Sequence, residues 1–257
     1  MATNLLWGYS DIPRKGIVTV TPDASTSFPV TNVCLGPRRR IYQAGVSMAT
    51  HRITWDLGST VTRAVSYLYL ARAKLMFDRD ATVAVALESS SDNITWTSRI
   101  ASSPIASGDK VGPRTEDYLK TTTQTSAFRY WRLTLNNVGS TAILPAFSKA
   151  MFGPAFDFGR DPDWSRAMQR TVLNKGVREP RYTLQLEYRA ITNAVVQSFD
   201  TEIAAYRDIA PVVLFTTSVY HELLNSAKAM HCLITDFAVT PVSVNNNTIS
   251  ITLEELI

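Results

Sequence analysis

The sequence predicts a mainly β protein in two parts. An N-terminal all-β domain, residues 1–152, precedes a smaller β-rich domain with one packed helix, residues 153–257. Three observations carry this expectation. The run Phe128–Leu135 alternates with a period of two, placing Trp131, Leu133 and Leu135 on one face and Tyr130, Arg132 and Thr134 on the other. Similar runs recur on both sides of a break at Phe152-Gly153-Pro154. Helical spacing governs one segment, in which Val195, Val196, Phe199, Ile203 and Tyr206 follow the capping pair Thr192-Asn193.

Taken in order, residues 4–60 read as loops and short strands. Gly16–Thr21 is rich in β-formers and stops at Pro22-Asp23, and Pro29 forces extended geometry on Phe28. Ile53–Leu57 is a strand ending in the turn Gly58-Ser59. Val65–Leu70 follows, and then Ala81–Ser89, in which Val83, Val85 and Leu87 share a face. The turn at Ser90–Asn93 leads into an Ile94–Thr97 strand. Residues 101–126 are rich in Ser, Thr, Gly and Pro and read as a long surface connection. The central strand Phe128–Leu135 and a last strand in Ala142–Met151 complete the first domain. In the second, Asp157–Asp163 reads as a polar linker and Tyr182–Tyr188 as an alternating strand. A helix from Asn193 to Asp208 and a buried strand at Pro211–Thr216 come next. A terminal pair, Cys232–Val239 and Asn247–Leu256, turns through Asn245-Asn246-Asn247.

Composition removes several classes of function. At 257 residues, 45% hydrophobic and 19% charged, the chain is globular and long enough for two cores. Its formal charge of +4 reflects 26 basic against 22 acidic residues, and the one dense basic run is Arg38-Arg39-Arg40. Three charges make a small electrostatic footprint, so a solvated loop is favoured there and no nucleic-acid partner is expected. No apolar run approaches the roughly 18 residues of a membrane span, so no membrane insertion is expected. The N-terminus lacks a charged region followed by an apolar one, so no signal peptide is expected. Cys34 and Cys232 lie beside apolar residues without a motif and read as buried free thiols.

Chemistry-bearing motifs are scarce. His51, His221 and His231 are scattered, and adjacent His231 and Cys232 would point apart on a strand, so no metal site is expected. There is no nucleophile elbow, phosphate loop, dinucleotide fingerprint or zinc-protease helix. Asp78 with Asp80, Glu116-Asp117 and Glu254-Glu255 read as solvated carboxylates. Neither catalysis nor a cofactor is expected.

Two resemblances sharpen the reading. The segments Phe28–Val33, Ile53–Ser59, Ser91–Trp96 and Phe128–Leu135 resemble the galactose-binding-like (discoidin, or coagulation factor 5/8 C-terminal) β-sandwich. That resemblance implies a jelly-roll sandwich, and their places on strands make Trp55, Trp96, Trp131 and Leu133 its expected core. It also implies a sugar site on loops at one end of the barrel, where aromatics stack on the sugar and Arg or Asn contacts its hydroxyls. Trp7, Tyr9, Tyr42 and Arg72 are the contributors expected there. Some members hold calcium near the first loop, where Asp11 and Asp23 stand here, although nothing in the sequence requires it.

The second half is similar to the split-barrel domains of tail tube and distal tail proteins of long-tailed phages, through Leu184–Arg189, the helix and the late hairpin. This implies a structural component of a phage tail, a minor or distal tail protein. It would form a homo-oligomeric ring at the tail tip, a hexamer favoured over a trimer. The ring would contact tube, tape-measure and tip or hub proteins, in a virion assembled in the bacterial host cytoplasm. Its expected ring contacts are the Asn193–Asp208 helix and the terminal hairpin. The alternative is a lectin-like protein that recognises host surface glycans through the N-terminal sandwich.

Overall fold

The computed structural model describes residues 5–9, 12–21, 23–34, 40–73, 83–111, 116–123, 125–137, 143–163, 171–173, 181–203, 211–216 and 229–256. It is mainly β, and it divides into two compact units: Ser10–Pro154, and Met1–Tyr9 together with Ala155–Ile257. The first strand, β1 (Leu6–Tyr9), therefore belongs with the C-terminal unit and not with the sandwich to which chain order assigns it.

Within Ser10–Pro154 come a helical turn α1 (Ile12–Lys15), β2 (Ile17–Thr21), a second helical turn α2 (Thr31–Cys34), β3 (Tyr42–Gln43), β4 (Thr50–Asp56) and β5 (Tyr67–Ala71). Then follow β6 (Val83–Ser90), β7 (Thr97–Pro104), β8 (Lys110–Val111), β9 (Asp117–Thr121), β10 (Tyr130–Asn137), β11 (Ala146–Phe147) and β12 (Lys149–Gly153). Five strands in the order β2-β4-β10-β6-β7 form one sheet and four in the order β12-β5-β9-β8 form the other. β10 is the central strand of the first sheet, antiparallel to β4 and to β6.

One core joins both sheets: Ile53 and Trp55 from β4, Trp131, Leu133 and Leu135 from β10, and Val85 and Leu87 from β6 meet Leu68, Leu70, Tyr118 and Phe152 from the other sheet. Trp55 and Trp131 both pack on the Phe152 ring, with centroids 4.9 and 6.2 Å away. Their indole N–H groups are satisfied as burial requires, Trp55 donating to Cys34 Sγ at 3.2 Å and Trp131 to the Phe128 carbonyl at 3.2 Å. Trp55, Trp131 and Leu133 are wholly buried.

The stretch 101–126 differs from its expectation as a surface connection. It contains the end of β7 together with β8 and β9, and Tyr118 and Leu119 are buried. These strands are short and polar at their ends, so composition alone reads them as loop. Asp117 is also buried there, accepting from the Tyr69 hydroxyl at 2.6 Å and from the Arg72 amide at 2.8 Å.

Among the described residues the second unit is one antiparallel sheet with one helix. Its strands are β1, β13 (Ala155–Asp157), β14 (Thr171–Leu173), β15 (Arg181–Ile191), β16 (Val212–Phe215), β17 (Ala229–Ser243) and β18 (Asn246–Glu255). They lie in the order β13-β1-β16-β17-β18-β15-β14. The helix α3 (Asn193–Glu202) is capped by Thr192, whose hydroxyl accepts from the Val195 amide. Its buried residue, Phe199, packs against Trp7, Phe156, Phe158 and Phe237. The expected continuation of the helix to Asp208 runs into residues 204–210, outside the described residues. The terminal hairpin turns at Val244-Asn245, beginning one position earlier than the asparagine run suggests, with Ser243 opposite Asn246. Cys34 and Cys232 are both buried and neither is in a disulfide.

Candidate functional site

β10 builds the site by the same alternation that builds the core. Its even-numbered residues, Tyr130, Arg132, Thr134 and Asn136, lie on the face opposite the buried Trp131, Leu133 and Leu135. Antiparallel register then lays rows across the outer face of the five-stranded sheet. One row runs Ile17, Asp56, Tyr130, Ser90; the next runs Thr19, Thr54, Arg132, Glu88, Ser98; a third runs Thr21, Arg52, Thr134, Ala86.

Arginine and aromatic side chains concentrate in the first two rows. The Arg132 guanidinium lies over the Trp96 ring, 4.0 Å from its centroid, and its Nε donates to Glu88 Oε2 at 2.8 Å. Thr134 Oγ1 donates to the same carboxylate oxygen at 2.7 Å. At the strand end, Arg129 donates from Nε and Nη2 to the two oxygens of Asp56 at 2.7 and 2.8 Å, and its guanidinium covers the Tyr130 ring at 4.5 Å. Each arginine is thus held at its edge by a carboxylate and on its face by a ring, which fixes a side chain that otherwise has many rotamers.

The electrostatics follow from these contacts. Partial burial acts to raise the Glu88 pKa, yet hydrogen bonds from Arg132 and Thr134 hold it below the usual glutamate value. The Arg129 hydrogen bond holds Asp56 below the ordinary aspartate value. Both carboxylates are therefore ionised at neutral pH. Arg52 is exposed and makes no hydrogen bond or ion pair of its own among the described residues, while Glu88 feels its charge. The arrangement supplies aromatic faces, fixed guanidinium and carboxylate groups and a hydroxyl on a sheet surface. Those are the groups that stack on and hydrogen-bond to a polyhydroxylated ligand.

Trp96 corrects an expectation. It is half-buried on the outer face, outside the core formed by Trp55, Trp131 and Leu133. The cause is local: Asp92 Oδ1 accepts from the amides of Ile94 and Thr95 at 2.9 and 2.8 Å, so residues 91–96 stay in a turn. Asn93 takes the left-handed conformation the turn needs, with φ of 62°.

The expected sugar-contacting residues do not come together. Trp7 has no exposed surface, and its N–H donates to the Tyr188 hydroxyl at 3.0 Å within the C-terminal unit. Tyr9 lies in that unit too, its hydroxyl donating to Glu202 at 2.6 Å. Tyr42 is wholly buried in the sandwich beside Phe147, its ring centroid 5.4 Å away. Trp7 and Tyr42 thus have no surface on which a sugar could stack. Arg72 is half-buried at the end of β5, with φ of 54° and its amide tied to Asp117.

His51 is buried, its Nε2 donating to the Ile143 carbonyl at 2.9 Å; burial lowers its pKa, so it is neutral at pH 7. His231 is buried in β17, and His221 lies outside the described residues. Asp23 is exposed, while Asp11, Asp78, Asp80, Arg38 and Arg39 lie outside the described residues. Among the described residues no group of three or more His, Cys, Asp or Glu is placed to hold a metal ion, and no helix is long and apolar enough to cross a membrane.

No protein-family model and no curated protein matches the chain. Solved structures are similar to a little over half of it. The CBM32 module of AlyQ, in complex with 4,5-unsaturated mannuronic acid, is 19% identical with a TM-score of 0.39, over 56% of this chain and 96% of that one. Chitosan-binding module 1 from the chitosanase/glucanase of Paenibacillus sp. IK-5 is 13% identical with a TM-score of 0.41, over 57% and 99%. A CBM32 module of Clostridium perfringens, in complex with GalNAc-β-1,3-galactose, is 13% identical with a TM-score of 0.40, over 56% and 99%.

Proposed function

We propose that the chain is a non-catalytic carbohydrate-binding protein whose Ser10–Pro154 sandwich takes a saccharide on the outer face of its five-stranded sheet. The observation that carries this reading is the Trp96–Arg132–Glu88–Thr134 cluster beside Tyr130 and the Arg129–Asp56 pair. One face of Trp96 is occupied by the guanidinium, and the ring keeps exposed surface for a ligand. The resemblance of four sequence segments to the galactose-binding-like sandwich points the same way. The test is a glycan array with the full chain, followed by titration of the best ligand. Trp96→Ala is expected to weaken binding by at least about tenfold, as loss of a stacking ring does, with the melting temperature little changed. Undiminished binding by this variant would remove the face from the mechanism, and a folded chain that binds no glycan would remove the function.

A second reading, the structural phage tail component, is favoured by the terminal hairpin. Residues 237–253 hold no charged side chain, and Val242 and Val244 are 67% and 97% exposed. Beyond Cys232, β17 runs on through Leu233–Ser243 with no strand on its outer side among the described residues. An uncharged, valine-bearing hairpin suits burial between subunits. In light scattering after size exclusion, this reading expects a hexamer or trimer, and a Val242→Glu/Val244→Glu double variant is expected to run as the monomer. A parent chain that is already monomeric at high concentration would sink the ring.

A further inference from the structure

The charge of this chain is divided unevenly between its two units. Residues 10–154 hold 17 Lys and Arg against 10 Asp and Glu, a formal +7; the remaining residues hold 9 against 12, a formal −3. The modest net charge of the whole chain therefore conceals a basic sandwich and a mildly acidic second unit.

On the outer face, Asp56 is engaged by Arg129 and Glu88 by Arg132. Arg52 stands on the third row beside Thr134, one row along β4 from the Thr54 that pairs with Arg132, and among the described residues of this face it is the positive charge left over. Its side chain is exposed, so its guanidinium remains available to an incoming anion. A planar guanidinium with unused N–H donors binds a carboxylate through two parallel hydrogen bonds.

We propose that the ligand of this face is an acidic saccharide, a uronate-containing chain that lies across the strands. Its sugar ring would meet Trp96 and Tyr130, and a carboxylate would pair with Arg52. The proposal rests on the carbohydrate-binding reading and adds the ligand's charge. The positive field of the sandwich raises the local concentration of such a polyanion, and the aromatic pair distinguishes a sugar from a simple counter-ion.

The experiment is calorimetric titration of the full chain with oligogalacturonate and oligomannuronate and with their methyl esters, which keep the sugar and remove the charge. Acid is expected to bind roughly tenfold more tightly than ester at low salt, with the gap closing as salt screens the exposed arginine. Arg52→Gln is expected to reduce acid affinity much more than ester affinity. Lys120→Gln removes the same charge from the four-stranded sheet, where Lys120 pairs with Asp109, and is expected to alter neither.

Equal affinity for acid and ester overturns the inference and leaves carbohydrate binding standing. No binding of any of the four overturns the acidic-saccharide inference, and carbohydrate binding falls with it only where the glycan array is also empty. Equal losses from Arg52→Gln and Lys120→Gln would show attraction by net charge alone and remove the site. Duplex DNA that displaces the oligouronate from the parent chain and from Trp96→Ala with equal strength would do the same, in favour of a non-specific polyanion surface.

Discussion

Trp131→Ala is expected to destabilise the sandwich by about 3–5 kcal/mol, the range found when a buried indole is truncated in a close-packed core. Few domains of this size hold more than 5–15 kcal/mol in total, so the variant should melt far below the parent or be recovered unfolded. The site explains the severity. Trp131 has no exposed surface, lies on the central strand, and packs against both Phe128 and Phe152. No neighbour is free to collapse into the space, because β4 and β6 are held to β10 along its whole length. The contrast with Trp96 makes the measurement informative. Trp96→Ala should leave the melting transition near its parent position and remove ligand affinity, whereas Trp131→Ala should act on ligand only through unfolding. A Trp131→Ala protein that melts normally would mean the two sheets do not close over this side chain.

The sandwich was more legible than the site, and the reason is physical. Alternation over eight residues is a strong signal, and it separates Trp131, Leu133 and Leu135 from Tyr130, Arg132 and Thr134 without knowledge of any partner. What alternation withholds is register. Nothing local places Glu88 beside Arg132, since they lie 44 residues apart and meet because β6 and β10 pair in that alignment.

Trp96 shows how a short apolar run misleads. Ile94-Thr95-Trp96-Thr97 has strand composition, yet the Asp92 side chain takes the backbone amides a strand would spend on its neighbour. Tyr42 and Trp7 fail for a related reason. Each sits in or beside an element of two to four residues, too short for its pattern to distinguish a binding aromatic from a buried one. The same brevity hides β8 and β9 within a stretch rich in Ser and Thr.

The N-terminal strand has the largest consequence that sequence order conceals, and it yields the second strong expectation. β1 lies between β13 and β16 in the C-terminal sheet, so removing it opens a gap among the seven strands. Trp7 fills the core beneath it, edge-to-face on Phe199 at 5.3 Å and on Phe158 at 6.1 Å, while its N–H satisfies the buried Tyr188 hydroxyl. Trp7→Ala should therefore cost about 3–5 kcal/mol for the lost indole, with a further penalty because Tyr188 loses its donor inside the core. Trp7→Phe retains most of the packing and loses the hydrogen bond, so it should cost roughly 1–3 kcal/mol.

Deletion of residues 1–9 should be more damaging than either, since the sheet then loses the backbone bonds of β1 to both neighbours as well as the ring. Calorimetry can assign the loss to a unit, with Trp131→Ala marking the sandwich transition and Trp7→Ala marking the other. If the fragment from Ala155 to Ile257 unfolded cooperatively and at full stability without residues 1–9, the strand would be an ornament of that sheet. The expected result is that the fragment requires it, because the chain's first strand and its last hundred residues share one hydrophobic core.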